Sequence, residues 1–342
     1  MSVRAVARLA EVVGGAEIAS LVLLALALAV PFVTADPLVY SISNQALIAV
    51  IAAFSVYLML RMNLLTFAVP AFMALGGYAV AMAALKGVTN VFALTALSFV
   101  VPAVVALPLG ALVLRLRGVY FVLVTFVLTE ILQLVIFETP GLTGGANGLA
   151  GIPATTVFGV GLVDNRAVLL LATALTFVSA VITTAVTRRF RPHFAAIEEN
   201  EVLAQSLGLV VWRYKALGFM VAAGLAGLAG FSLVNMLLTA HPTSFSGGAA
   251  VNYIAYTIVG GRTSILGPIV GSVLLVWASN VFGGQGEYSQ GLFGILIMLV
   301  VLVAKGGMVG ATATLVRRVL LRRRPADAFP AAAATGERAH RP

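Results

Sequence analysis

Apolar stretches about as long as a bilayer is thick alternate with short polar breaks along most of this chain. They predict membrane-spanning helices near 18–35, 40–60, 66–85, 91–114, 118–137, 166–186 and 215–238. Over 245–305 the pattern is less regular. A short apolar run at 249–261 ends in Gly260-Gly261-Arg262, and runs near 265–282 and 289–304 follow. Counting every run predicts an all-α polytopic membrane protein of about ten transmembrane helices with both termini on one side. One break differs from the rest. Residues 188–215 carry Arg188, Arg189, Arg191, Glu198, Glu199, Glu201, Arg213 and Lys215, and a segment so charged stays out of hydrocarbon. Its inner part, Ala195 to Leu207, predicts one short surface helix. Glu198, Glu199 and Glu201 then fall in its first part, where acids complement the helix dipole. Ala196, Leu203, Ala204 and Leu207 supply small or apolar surface, and Gly208 stands where the helix would end. This is an amphipathic knob shaped for a groove on a soluble partner; the alternative is a merely solvated loop helix.

Composition supports the membrane class. Hydrophobic residues make up 61% of the 342 and charged residues 10%, against roughly 25% charged in a soluble domain, and the mean hydropathy is +1.07. The formal net charge of +9 could indicate nucleic acid, but its placement is an orientation signal. Every Lys and Arg except Lys86 and Arg166 falls on one face of the predicted arrangement, which the positive-inside rule makes cytoplasmic. Both termini then lie in the cytoplasm, with a segment 1–17 before a transmembrane domain 18–305. A tail 306–342 follows, basic at Arg317, Arg318 and Arg322 to Arg324 and Ala/Pro-rich from Pro325. Arg4, Arg8 and Val33-Thr34-Ala35 resemble a secretory signal, but the long apolar run with its late Pro31 favours a retained first helix.

Little in the sequence points to covalent chemistry. Cysteine is absent, which excludes disulfides and thiol chemistry. His193, His241 and His340 are too far apart to pair on a metal, and none of the three lysines completes a GxxxxGK[ST] loop. The expectation is a transport subunit, not an enzyme, with no metal and no nucleic-acid partner. Three other polar features compete for a role. Glu130 lies well inside the 118–137 run, with Gln133 one turn further and Thr129 adjacent; it either faces a translocation path or locks neighbouring helices. Thr143-Gly144-Gly145-Ala146-Asn147-Gly148 is either an outer gate or an ordinary external loop. Asn63 to Tyr78 joins a polar start, a helix-perturbing Pro70 and Gly76-Gly77, which serve either close packing or a cavity. Gly224, Gly227 and Gly230 mark a close helix contact.

The ordered blocks NLLTFAVPAFMALGGY, LRLRGVYFVLVTFVLTEIL, LTGGANGLAGIP, AAIEENEVLAQSLGL followed by WRYK, and GGRTSILGPIVG together resemble the permease subunits of branched-chain amino-acid ABC importers of the LivM type, over roughly residues 40–310. The resemblance implies the larger, ten-helix ABC importer permease fold in a bacterial inner membrane. It implies no cofactor on this chain, with ATP hydrolysed by two cytoplasmic ATP-binding partner subunits. A second related permease and a soluble substrate-binding protein complete the assembly. Ala195, Ala196, Ile197, Glu198, Glu199, Asn200, Glu201, Ala204, Leu207 and Gly208 match the coupling loop, and Asn63, Gly76, Gly77, Tyr78, Glu130, Gln133, Thr143, Gly144, Gly145 and Asn147 become candidates for path or gate. Two positions depart from the pattern. Ala195 and Glu198 stand where arginines commonly flank the Ala-Ile pair, and Ala146 stands where proline is common. The family spans branched-chain amino acids, other amino acids, amides and urea. The rival expectation is a stand-alone secondary transporter or channel for a small polar solute such as urea or an amide.

Overall fold

The computed structural model describes residues 36–283 and the positions 291, 294, 295, 298 and 307–309. The expected segment 1–17, the helix at 18–35, most of the run at 289–304 and the basic cluster from Arg317 lie outside the described residues. Within them the helices are α1 (Pro37–Leu60), α2 (Val69–Leu85), α3 (Val91–Val113), α4 (Val119–Glu138) and a single turn α5 (Pro140–Thr143). After a two-residue hairpin of β1 (Thr156–Val157) and β2 (Val160–Gly161) come α6 (Asn165–Arg189), α7 (Arg191–Glu199), α8 (Glu201–Ser206), α9 (Val211–Leu237), α10 (Gly248–Gly260) and α11 (Leu266–Gly283). Among the described residues the hairpin is the one sheet added to the all-α expectation. Among the described residues five helices, α1, α3, α4, α6 and α9, are long and apolar enough to cross a membrane.

Local chemistry sets the helix ends. The Asp36 side chain caps α1 by accepting from the Leu38 N–H at 2.9 Å, and Asn90 caps α3 by accepting from Phe92 N–H at the same distance. Pro70 sits in the first turn of α2, where its missing N–H costs nothing. It starts the helix and does not perturb it, contrary to expectation. Asn63 turns the chain after α1 with a left-handed φ of 57°, a conformation asparagine tolerates better than most residues.

The core is built around α1 and α9. In their most apolar windows 83% of α1 and 78% of α9 are buried, against 22% of α4, so α4 is peripheral and the first two are central. α9 packs on α1, α2, α3 and α6, while α1 also meets α10 and α11. The approach of α9 depends on the expected glycine stripe. Gly227 lies against the backbone of Gly76 on one side and the Ser98 carbonyl on the other, and Gly230 lies against the Met73 carbonyl. Ser98 is four residues before Pro102 in α3, and proline cannot donate to it. The freed carbonyl is therefore available to the Gly227 backbone. Gly76 and Gly77 thus have a packing role, which does not bear on whether they also line a path.

The irregular stretch 64–68 between α1 and α2 is satisfied by threonines of α4. The Phe67 N–H donates to Thr125 Oγ1 at 3.1 Å, and Thr129 Oγ1 donates to the Phe67 carbonyl at 2.9 Å. Such partners are what allow non-helical backbone inside a membrane protein. Thr129 is therefore occupied structurally and is not part of the polar patch read around Glu130.

Candidate functional site

The charged segment between α6 and α9 is shorter than 188–215, because Arg188 and Arg189 finish α6 and Val211 to Lys215 form the first turn of α9. Nor is it one helix. Asn200 is extended, at φ −157° and ψ 105°, and splits it into α7 and α8. Its side-chain oxygen accepts from the Leu203 N–H at 3.0 Å and so starts α8 afresh. Gly208, at φ +88°, closes α8 in the left-handed conformation that glycine alone adopts without strain. Glu198 and Glu199 therefore end a helix, where the dipole disfavours acids, and only Glu201 begins one.

Ion pairing accounts for two of the three acids. Glu198 meets Arg61 at 3.2 Å, and Glu201 meets Lys215 at 2.8 Å and Arg117 at 3.6 Å. One short segment thus binds the end of α1, the chain leading into α4 and the start of α9. Lys215 is 3% exposed, so its charge depends on Glu201 for compensation. Beneath these pairs Phe194, Ile197, Ala204 and Val211 are buried, and the His193 ring stacks on Tyr214 at 4.4 Å between centroids. Ala204 is core and not outward surface as expected. The outward face is made by Ala195, Ala196, Glu199, Asn200, Val202, Leu203 and Leu207, all exposed. Sequence reasoning placed Lys215 in the charged segment but missed Arg61 and Arg117 as members of this site. Their basic character at helix ends was legible, but it read only as an orientation signal.

The remaining candidates lie away from this basic end, Asn63 excepted. Asn63 is exposed two residues after Arg61 and does not join the others. Leu238 to Gly247, the link from α9 to α10, gathers three of the other blocks. Leu149 and Ala240 exchange backbone bonds of 2.9 and 2.8 Å, drawing in the 143–148 loop. The Tyr78 ring packs on Phe245 with centroids 6.0 Å apart, and a Cβ at Gly77 would lie 3.0 Å from that same ring. Gly247 leaves room for the Glu130 carboxylate at the start of α10, where the helix dipole favours an anion. The Tyr78 hydroxyl is buried without a partner among the described residues. Gln133 is half-buried one turn beyond Glu130. In the loop, Thr143 Oγ1 donates to the Ile136 carbonyl at 2.6 Å and accepts from the Gly145 N–H at 3.2 Å, while Gly144 is left-handed at φ +76° and Asn147 is exposed. The 238–247 hub was not singled out from sequence, since its signal is only a short Thr/His/Pro/Ser cluster.

Gly148 holds that loop in place. At φ +67° a side chain is strained, and a Cβ would collide with the Ala240 carbonyl and lie 3.0 Å from His241 Cα. Both are backbone and cannot swing aside. Gly148→Ala is expected to loosen the 149–240 bridge by about 1–3 kcal/mol. Hydrogen exchange at the Leu149 and Ala240 amides should accelerate at least about fivefold, with α1 and α9 unaffected; unchanged exchange would show that the loop does not depend on this approach. Among the described residues no group of His, Asp or Glu is placed to hold a metal ion.

A family model described as "Branched-chain amino acid transport system / permease component" matches residues 38–304. The high-affinity branched-chain amino acid transport system permease protein LivM of Salmonella typhimurium is 27% identical over 315 residues, covering 85% of this chain and 74% of that protein. The LivM protein of Escherichia coli K12 is 29% identical over 228 residues, covering 60% of this chain and 54% of that one. No solved structure matches the chain significantly.

Proposed function

The chain belongs to the branched-chain amino acid transport permease family, and from that premise we propose that it is the membrane-spanning permease subunit of an ATP-driven importer for branched-chain or related amino acids. It works with two cytoplasmic ATP-binding subunits, a second related permease and a soluble substrate-binding protein, in a bacterial inner membrane. It binds no ATP itself. The observation that carries this reading is the α7–α8 segment, whose acids engage Arg61, Arg117 and Lys215 at the ends of three membrane helices.

The arrangement divides labour between two faces. Inward, Glu198 and Glu201 bind the segment to its own helices; outward, Ala195, Ala196, Leu203 and Leu207 meet the ATP-binding subunit. Closure of that subunit on ATP then displaces α7 and α8 as a unit. Lys215 passes the displacement to α9, and α9 passes it through Gly227 and Gly230 to α2 and α3. Side chains in these contacts would yield; backbone against backbone yields little. At the far end of α9 the same movement reaches the 238–247 hub with Glu130, Tyr78 and the 143–148 loop, which we read as the gate. The energy derives from the different affinities of ATP for the two states.

Purification of the tagged chain from its native membrane, followed by mass spectrometry and reconstitution, tests this reading. ATPase subunits and a related permease should co-purify, and the reconstituted complex should take up leucine only with ATP and binding protein. Recovery of the chain alone, moving solute down an ion gradient without ATP, would overturn it.

A further inference from the structure

Helix α10 has 13 residues, so it extends only about 20 Å and falls short of a hydrocarbon layer of about 30 Å. It stops at Gly260-Gly261, where Gly261 has φ +116°, and α11 then folds back on it. Gly271 lies against the Tyr256 carbonyl, and Gly260 against the Gly267 carbonyl. Short, glycine-interrupted helices of this kind mark binding sites in transport proteins, because they free backbone and side-chain polar groups at depth.

Along α10 ahead of this break, from Ala249 to Tyr256, lies a cavity of about 180 Å³ between α1, α9, α10 and α11. At about 30 Å³ per water it has room for a small solute. Its wall divides chemically. Ile48, Ala49, Leu233 and Val276 give an aliphatic side, while Gln45, Asn252, Tyr253 and Tyr256 give a hydrogen-bonding side, and among the described residues no charged one lines it. The polar side is under-used by the protein. Gln45 reaches Ser41 and Asn280 only at 3.4 and 3.5 Å, and Asn252 and the two tyrosine hydroxyls have no side-chain partner among the described residues. One turn before Ile48, Asn44 is buried with its Oδ1 unpartnered. Asn252 and Gln45 are exposed at the mouth, near the starts of α10 and α1 and so toward the end opposite Arg61 and Lys215. Exposed amides facing hydrocarbon would be unfavourable; facing a solute or water they are satisfied.

We propose that this cavity is a binding subsite for a small solute without net charge, one end aliphatic and the other hydrogen-bonding, such as a neutral or zwitterionic branched-chain amino acid. Ile48, Leu233 and Val276 take the aliphatic end; Gln45, Asn252, Tyr253 and Tyr256 take the polar end. With no charge among the described lining residues to compensate it, a solute with net charge is disfavoured as the fitted occupant. The choice of amino acid rests on the importer reading, whereas the subsite itself rests on the cavity.

The chain contains no cysteine, which makes the test clean. Asn252→Cys is placed in the whole reconstituted complex and labelled with a membrane-impermeant maleimide, with and without leucine; Val251→Cys, on the exposed face of α10 outside the cavity, is the control. Leucine should slow labelling at 252 at least about fivefold and leave 251 unchanged. Adding Tyr256→Phe should raise the leucine concentration for half-protection about tenfold, as expected for one lost hydrogen bond to a polar ligand. No labelling at 252 without leucine, or a half-protection concentration indifferent to Tyr256→Phe, overturns the subsite. Normal ATP-driven leucine uptake without protection overturns the subsite and spares the importer reading. Protection without ATP-driven uptake keeps the subsite and overturns that reading. Absence of both overturns both.

Discussion

Glu201→Lys is expected to abolish ATP-driven uptake, by at least about tenfold, in a chain that still inserts into the membrane. Glu201 answers two cations, and one of them, Lys215, is almost wholly buried. Placing a third cation there leaves Lys215 uncompensated in a low-dielectric setting, which costs about 3–5 kcal/mol when a buried pair is broken. The structure around it offers Lys215 no other partner within ion-pair distance among the described residues. Relief comes by moving the α7–α8 segment away from α9, and that movement breaks the link between the outer face and the membrane helices. The double variant Glu201→Lys with Lys215→Glu restores the sign of the pair, though Arg117 then faces a lysine, so partial recovery is expected. Glu199→Lys, exposed and outside the ion pairs among the described residues, is expected to leave the fold intact. Uptake by the complex in proteoliposomes, alongside thermal unfolding in detergent, separates these outcomes. Normal uptake in the Glu201→Lys chain would remove the segment from the coupling path.

The largest effect on folding is expected at Gly227. A Cβ there collides with the Ser98 carbonyl and with Pro102 Cγ, and Gly76 is backed against its other side. Overpacking a core commonly costs about 1–3 kcal/mol, but that figure assumes side chains that can turn. Here the obstruction includes backbone of α3, and α2 closes the other side of the helix at Gly76 so that α9 cannot back away; Gly227→Leu should therefore prevent assembly of α9 with its neighbours and leave little folded protein. A graded comparison makes the point measurable. Gly224 meets the ring of Phe99, which can shift, so Gly224→Ala should cost less than Gly227→Ala. Gly141 meets nothing within 4 Å, and Gly141→Ala should be neutral within about 0.5 kcal/mol. Equal midpoints for the three alanine variants would show that α9 is not held by backbone contact.

The two effects act on the same helix, one at its start and one at its middle. In the coupling path proposed above, Lys215 is where α9 would receive force and Gly227 where it would transmit it sideways. A helix that slides on side chains dissipates a displacement into rotamers; one seated on glycine and carbonyl moves its neighbours with it. That is the physical reason for assigning α9, and not the peripheral α4, as the moving element.

Much of this protein is determined by its linear pattern. Apolar run length fixes where helices lie, because a bilayer accepts only segments that satisfy their own backbone. The expected spans at 91–114, 118–137 and 265–282 accordingly fall within a few residues of Val91–Val113, Val119–Glu138 and Leu266–Gly283. The glycine triplet of α9 and the break at Gly260-Gly261 were legible for the same reason, since glycine inside an apolar run has few other uses. The ordered blocks sufficed for the family. What the linear pattern did not hold is partnership across distance. Nothing local in Glu198 or Glu201 distinguishes a solvated acid from one bound to Arg61 or Lys215, and nothing in Asn200 announces a break between two helices. The start of α9 at Val211, which places Lys215 in its first turn, and the burial of that lysine depend on how α7 and α8 fold back. The convergence of Tyr78, Glu130 and Gly148 on the 238–247 hub, and of Gln45, Asn252 and Tyr256 on one cavity, joins residues far apart in the chain. Periodicity reports which side of a helix is apolar, whereas only the packed structure decides which polar groups that side brings face to face.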